Sequence, residues 1–184
     1  MPNRTDKILF IAGLLSYLTA QIWLNLTGSL TIDQVPIDYA HWLMLIGVTL
    51  LIPFTTRLPR EGAALFAAPI LLIGIILTVG ACILDFVLWS LPDQPLRGQV
   101  FDHLVSVPLL WALFIQISGF VFTPGIAFVS LVYWKHTKIG PVLTFAGAIM
   151  IGAWPFWSNS FGYAMILAGF LICFRADHQE RSNS

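Results

Sequence analysis

The chain has 184 residues, of which 58% are hydrophobic and 10% are charged, and its mean hydropathy is +0.84. This composition lies outside the range of soluble globular domains and predicts a protein whose main partner is the lipid bilayer. Nine basic and nine acidic residues give a net charge of zero, so we expect no nucleic-acid partner.

Six apolar segments follow one another along the chain. They cover residues 8–27, 39–56, 62–91, 103–134, 140–157 and 161–174. A helix needs about 20 apolar residues to cross a hydrocarbon core of about 30 Å. We therefore predict an all-α, polytopic bundle of six transmembrane helices that forms a single integral membrane domain over residues 1–184.

The first segment begins like a secretory signal, with Arg4 and Lys7 in front of an apolar run. That run continues to Leu26, which makes it longer than the apolar core of a signal peptide. In addition, Leu18 stands where a cleavage site after Ala20 would need a small residue. These features predict an uncleaved first helix.

The fourth segment is too long for one upright crossing, because a helix over residues 103–134 would measure roughly 48 Å. Pro124 predicts a kink in this helix, with its remainder extending into the cytoplasm. A re-entrant segment after Pro124 is the alternative.

The basic residues are unevenly divided between the two sides of the predicted membrane. Arg97 lies on one side, and the other eight share the opposite side. These eight are Arg4, Lys7, Arg57, Arg60, Lys135, Lys138, Arg175 and Arg181. The positive-inside rule then makes both termini cytoplasmic, and we expect a multi-pass protein of the bacterial inner (cytoplasmic) membrane.

This orientation places most polar side chains of the helices in the outer half of the membrane and leaves the inner half nearly bare. The outer polar residues are Gln21, Asn25, Asp38, His41, Asp85, Asp102 and His103, with Gln116 somewhat deeper. The tryptophans of the same half are Trp23, Trp42, Trp89, Trp111, Trp154 and Trp157. An interfacial aromatic belt explains most of the tryptophans, and acids at helix starts complement the helix dipole.

Asp85 is the residue that these ordinary roles explain least well. It lies in the apolar stretch of residues 80–89, which carries no other charge. Carboxylates in such positions usually face the interior of a bundle or a wet cavity. Contact with headgroup water is one interpretation, and an ion pair with His41, His103 or Arg97 is another.

The first predicted helix carries two regular patterns. A row that repeats every four residues, and that should turn into the bundle, consists of Gly13, Tyr17, Gln21 and Asn25. A second row, of small residues, consists of Ala12, Ser16 and Ala20. Small residues at this spacing suit close packing against another helix or against a partner subunit.

The sequence contains no recognisable metal-binding or cofactor motif. Its histidines and aspartates lack spacings such as H-x-x-x-H, and a bis-histidine haem would need His41 to face His103. We therefore predict neither a metal site nor a cofactor. Cys82 and Cys173 fall near opposite faces of the membrane, too far apart for a disulfide.

Two resemblances accompany these observations. Residues 79–88 and 108–114 resemble a family of small uncharacterised bacterial inner-membrane proteins, a resemblance that implies no activity. The architecture is similar to that of the substrate-binding subunits of energy-coupling-factor vitamin transporters. Those subunits have about this length, six helices, an outer-half ligand pocket and small residues like Ala12, Ser16 and Ala20 on the first helix. This second resemblance implies a fold only.

Three hypotheses of function follow. The first is a bundle that binds a small, partly apolar molecule or lipid group in an outer-leaflet pocket, for uptake or transfer. Its ligand-binding residues would be Asp85, Gln21, Asn25, Trp89, Asp102, Trp111 and Gln116. The second is a membrane-embedded enzyme of lipid or isoprenoid metabolism, with Asp85 as acid or base and His103 or His41 as its partner. The third is a non-catalytic subunit that packs into a larger membrane complex.

Overall fold

The computed structural model describes residues 2–27, 39–153 and 157–183, and every secondary-structure element in these ranges is helical. The α-helices are α1 (Arg4–Thr27), α2 (Tyr39–Leu50), α3 (Ile52–Thr56), α4 (Ala64–Ser90), α5 (Gln94–Ser106), α6 (Pro108–Trp111), α7 (Ile117–Ser130), α8 (Ile139–Ala153) and α9 (Trp157–Asn183). A π-helical turn, Ala112–Gln116, joins α6 to α7, and a 3₁₀ turn, Leu131–Tyr133, follows α7. The predicted all-α class is confirmed.

Five helical stretches within the described residues are long and apolar enough to cross a membrane. They are Arg4–Leu26, Tyr39–Thr56, Ala64–Ser90, Pro108–Tyr133 and Asn159–Glu180. A further apolar helix, Ile139–Gly152, is shorter and measures roughly 20 Å along its axis. The architecture is therefore compatible with a multi-pass integral membrane protein, while the predicted sixth crossing falls on this shorter helix.

The fourth apolar segment differs from its prediction as a single helix over residues 103–134. Helix α5 ends at Ser106, and a new helix begins at Pro108. Val107 between them has an extended backbone (φ −97°, ψ 93°), because the residue before a proline is disfavoured in the helical region. Proline itself fits the first turn of a helix, where its missing N–H is not needed.

The structure places the irregular part of this segment before Pro124, where the sequence predicts a kink. Helix α7 continues through Pro124, although proline removes one backbone hydrogen bond. The irregular part of this membrane-length stretch is instead the π-helical turn Ala112–Gln116. Phe114 of this turn lies close against Gly80, where an added Cβ would come within 2.2 Å of the Phe114 ring.

Six of the helices form a closed ring in chain order. Helix α1 packs against α2, α2 against α4, α4 against α7, α7 against α8, α8 against α9, and α9 against α1. Helix α5 contacts α4 and α6 at the edge of this ring, and none of its residues is buried. The buried core is formed mainly by residues of α1, α2, α3, α4, α7 and α9, and it contains an aromatic group formed by Phe10, Phe54, Tyr133, Phe170 and Phe174.

Small residues allow neighbouring helices to approach closely. A Cβ added at Gly13 of α1 would lie 2.6 Å from the carbonyl oxygen of Gly47 of α2, which leaves no room for a side chain. In the predicted small-residue row of α1, the Ser16 hydroxyl donates to the Leu43 carbonyl of α2 (2.7 Å) and Ala20 is fully buried. Ala12 alone of that row is exposed, so Ser16 and Ala20 are already used within this chain, and a partner subunit remains a prediction.

Candidate functional site

The buried carboxylate of Asp85 on α4 lies beside His41 on α2. The Asp85 Oδ2 atom is 2.7 Å from His41 Nδ1, and the two side chains are only 7% and 15% exposed. His41 lies near the start of α2, at Tyr39, and Asp85 lies near the end of α4, at Ser90. Both residues therefore lie near the same end of the ring. Of the three partners considered for Asp85, the structure places His41 beside it.

A carboxylate and an imidazole at this distance can share or exchange a proton, and either group can support acid–base chemistry. The same arrangement also satisfies two polar groups that would be costly to bury singly. The pair therefore has a structural role in any case.

Gln21 and Asn25 of α1 point towards different neighbours. Gln21 is buried, and its Nε2 lies 3.7 Å from the sulfur of Met44, one turn along α2 from His41. Asn25 donates to the Ser160 hydroxyl of α9 (2.6 Å). The polar row of α1 thus links this helix to both of its neighbours in the ring.

Asp102 and His103 are not brought to Asp85. Both are exposed on α5, which the break at Pro108 separates from the following membrane-length helix. Arg97 is engaged elsewhere, since its guanidinium donates to the carbonyl oxygens of Leu91 (3.0 Å) and Trp89 (3.4 Å). A cation at these carbonyls caps the end of α4 and complements its dipole.

The structure describes the side chains of four of the six tryptophans predicted for the outer half, and none of these four is fully buried. Trp89 and Trp111 are half-buried, and Trp111 packs edge-on against Phe101 at 5.1 Å between ring centroids. Trp23 and Trp42 are about half exposed, as in an interfacial belt. Asp38, Trp154 and the side chain of Trp157 lie outside the described residues.

A groove of about 380 Å³ lies between α7 and α8 and reaches the start of α9. Its polar lining residues are Gln116, Ser118, Thr123 and Asn159, and its apolar ones include Ile115, Phe120 and Ile151. We call it the α7–α8 groove. Phe120 is 74% exposed, so the groove opens on the outer surface of the ring. Among the residues predicted to bind a ligand, Gln116 is the one that lines it.

A larger groove, of about 620 Å³, lies at the opposite end of the ring between α1 and α9. We call it the terminal groove, and it is lined by Arg4, Lys7, Ile8, Leu171, Asp177 and His178, among others. The lining of neither groove includes Asp85. Neither groove therefore forms an enclosed cavity around Asp85.

Two pairs of charged residues accompany the terminal groove, just outside the predicted spans 8–27, 39–56 and 161–174. Asp6 is fully buried and pairs with Arg57, while buried Asp177 pairs with Lys7. The Asp6 and Asn3 side chains each accept from the other's backbone N–H (both 2.9 Å). This Asn3-x-x-Asp6 spacing at a helix start is a local capping signal that our sequence prediction did not use. The pairings with Arg57 and Asp177 had no local signal.

Within the described residues, no three His, Cys, Asp or Glu side chains are grouped so that they could hold a metal ion. Cys82 and Cys173 are buried free thiols.

Comparison of the chain with protein-family models, with curated proteins and with solved structures found no match. The helices and the two grooves are therefore the basis for assigning a class of protein. They suggest a multi-pass helical membrane protein.

Proposed function

We propose that this protein is an integral protein of the bacterial inner membrane that binds a small, partly apolar molecule or lipid group in the α7–α8 groove, for uptake or transfer. In this proposal the six helices of the ring all cross the membrane, both termini are cytoplasmic, and the groove opens in the outer leaflet. The basic residues near the termini support this orientation.

The exposed amide of Gln116 carries the proposal. Gln116 lies eight residues after Pro108, which corresponds to roughly 12 Å along the helix and so to a position well inside the hydrocarbon core. Its side chain makes no hydrogen bond within the described residues, although an amide in hydrocarbon is costly without a partner. A bound molecule with a polar group would supply that partner.

The rest of the groove fits the same kind of ligand. Ser118 and Thr123 continue the polar side of the groove along α7, and Asn159 adds an amide at its outer end. Ile115 and Phe120 provide apolar walls that face outwards. Gln116 also closes the π-helical turn, a kind of irregularity that is frequent at functional sites. A ligand with a polar head and an apolar tail would match both faces.

Native mass spectrometry of the protein purified in a mild detergent tests this proposal. We expect the wild-type protein to retain a copurifying amphipathic molecule, and we expect Gln116→Leu to lower its occupancy about fivefold, the effect of one lost hydrogen bond. Thr49→Val is the matched control, because Thr49 is an exposed hydroxyl on α2 that bonds within its own helix (Leu45 carbonyl, 2.6 Å). Equal occupancy in the Gln116→Leu and Thr49→Val proteins would contradict the proposal.

A second candidate function is the membrane-embedded enzyme, and the 2.7 Å approach of His41 to Asp85 is the observation that favours it. The copurified molecule separates the two functions. An enzyme would convert it to a chemically distinct product, such as an isomer formed by proton transfer, and Asp85→Asn would abolish the conversion. A binding protein would release it unchanged, and Asp85→Asn would leave its occupancy as in the wild type.

A further inference from the structure

The terminal groove changes in character along its length. Near the start of α1 it is lined by the charged side chains of Arg4 and Lys7, and the Ile8 and Ile11 side chains follow along the same helix. The opposite wall is formed by α9, whose polar His178 and apolar Leu171 also line the groove. From Arg4 to Ile11 the helix advances roughly 10 Å, so a single bound molecule could touch both the charged and the apolar parts.

The charges in this groove are not fully balanced. Asp177 is the acid in the lining, and it pairs with Lys7, while Asp6, which does not line the groove, pairs with Arg57. Arg4 and His178 are exposed, and neither forms an ion pair within residues 2–27, 39–153 and 157–183. The lining of the groove thus presents the exposed Arg4 guanidinium and His178 imidazole, together with the less exposed Lys7 ammonium, which is held by Asp177.

The apolar part of the groove is also accessible. Ile8 is 57% exposed and Leu171 is 50% exposed, and both lie within helical stretches of membrane-spanning length and composition. Their side chains can therefore pack against an acyl chain from the surrounding leaflet. A free phosphate or another small anion would bind to Arg4 and its polar neighbours and leave this wall empty.

We propose that the terminal groove binds an anionic phospholipid of the leaflet that faces the termini. Arg4 and His178 bind its phosphate, with Lys7 close by, and one acyl chain lies along Ile8, Ile11 and Leu171. Guanidinium groups suit phosphate because they donate parallel hydrogen bonds to two of its oxygens. Basic pockets between helices at a cytoplasmic membrane face are suited to anionic headgroups. This site is separate from the α7–α8 groove and does not depend on it.

Native mass spectrometry with two defined lipids tests this site. The purified protein is titrated with dioleoylphosphatidylglycerol or with dioleoylphosphatidylcholine, which have the same acyl chains and different headgroup charges. We expect the first lipid to bind several times more tightly, and Arg4→Gln to lower its affinity about fivefold, the typical effect of one basic residue. His178→Gln should cause a smaller loss. Inorganic phosphate at millimolar concentration should not displace the lipid.

Arg60→Gln is the control, because Arg60 is exposed near Arg57, at the same end of the ring, and does not line the groove. We expect this variant to bind phosphatidylglycerol like the wild type. An equal loss in Arg4→Gln and Arg60→Gln would show a general surface attraction and overturn the proposal. Displacement of the lipid by phosphate would overturn it in favour of a free-anion site. An unchanged melting temperature of Arg4→Gln shows that any loss of binding is not a loss of fold.

Discussion

The Asp85 carboxylate lies in an otherwise apolar part of α4, and the imidazole of His41 is its neighbour at 2.7 Å. Removing one member of a buried polar pair is destabilising, because the other member then remains buried without its partner. Removing both members removes that penalty as well. The pair should therefore behave as a unit when its members are substituted.

A double-mutant cycle measures this coupling. We expect Asp85→Ala and His41→Ala each to lower the free energy of unfolding by about 3 kcal/mol, and the double variant to lose clearly less than the sum. Equilibrium unfolding in mixed detergent micelles gives these values. His103→Ala is the control and should change stability by less than about 0.5 kcal/mol, since His103 is exposed. Additive losses for Asp85 and His41 would show that the two side chains do not interact.

The single residues differ in how far the sequence could predict them. Asp85 was recognisable as an exceptional carboxylate, because a charge within residues 80–89 has few ordinary explanations. Its choice of His41 over His103 depends on which helices are neighbours, and that is a property of the ring. For the same reason, the pairing of Lys7 with Asp177 could not be predicted from residues 170 positions apart.

The helices show a similar division between what is local and what is not. Apolar length predicted where the long helices lie, because a continuous apolar run has few alternatives in lipid. The break at Val107 also has a local cause in Pro108. It was not predicted, because apolar residues on both sides of Pro108 made residues 103–134 read as one continuous segment. The π-helical turn Ala112–Gln116 has no comparable signal in the sequence.

The contact between α8 and α9 makes a specific prediction for the helices. A Cβ added at Gly147 would lie 2.5 Å from the carbonyl oxygen of Gly162, whereas one added at Gly152 meets nothing within 4 Å. We expect Gly147→Ala to lower the free energy of unfolding by about 1–3 kcal/mol through overpacking. Gly152→Ala, on the same helix, should be neutral or stabilising by up to about 1 kcal/mol, because alanine favours helix more than glycine does.

Thermal or detergent-induced unfolding of the two alanine variants distinguishes the cases. If Gly147→Ala is as stable as Gly152→Ala, then α8 and α9 do not pack as closely as the structure shows.

At the scale of the whole molecule, the number of membrane crossings depends on helix α8. It completes the ring between α7 and α9, yet its apolar stretch, Ile139–Gly152, is shorter than the other five. A short span can be accommodated by local thinning of the bilayer or by anchoring of its flanking residues. If α8 crosses, both ends of the chain lie on the same side, and if it does not, they lie on opposite sides.

The position of the two ends also fixes where each groove opens. With six crossings, the terminal groove faces the cytoplasmic leaflet and the α7–α8 groove faces the outer leaflet. The proposals for both grooves therefore share one requirement, which is that α8 spans the membrane with the orientation predicted by the basic residues.

Labelling of single cysteines in intact cells with a membrane-impermeant maleimide tests this requirement most directly. Suitable positions are Thr5→Cys, Gln99→Cys and Ser182→Cys, which are exposed, whereas the native Cys82 and Cys173 are fully buried. Six crossings with cytoplasmic ends predict labelling at position 99 and protection at positions 5 and 182 until the cells are lysed. Labelling of Ser182→Cys in intact cells, with Thr5→Cys protected, would show that α8 does not cross and would contradict the account.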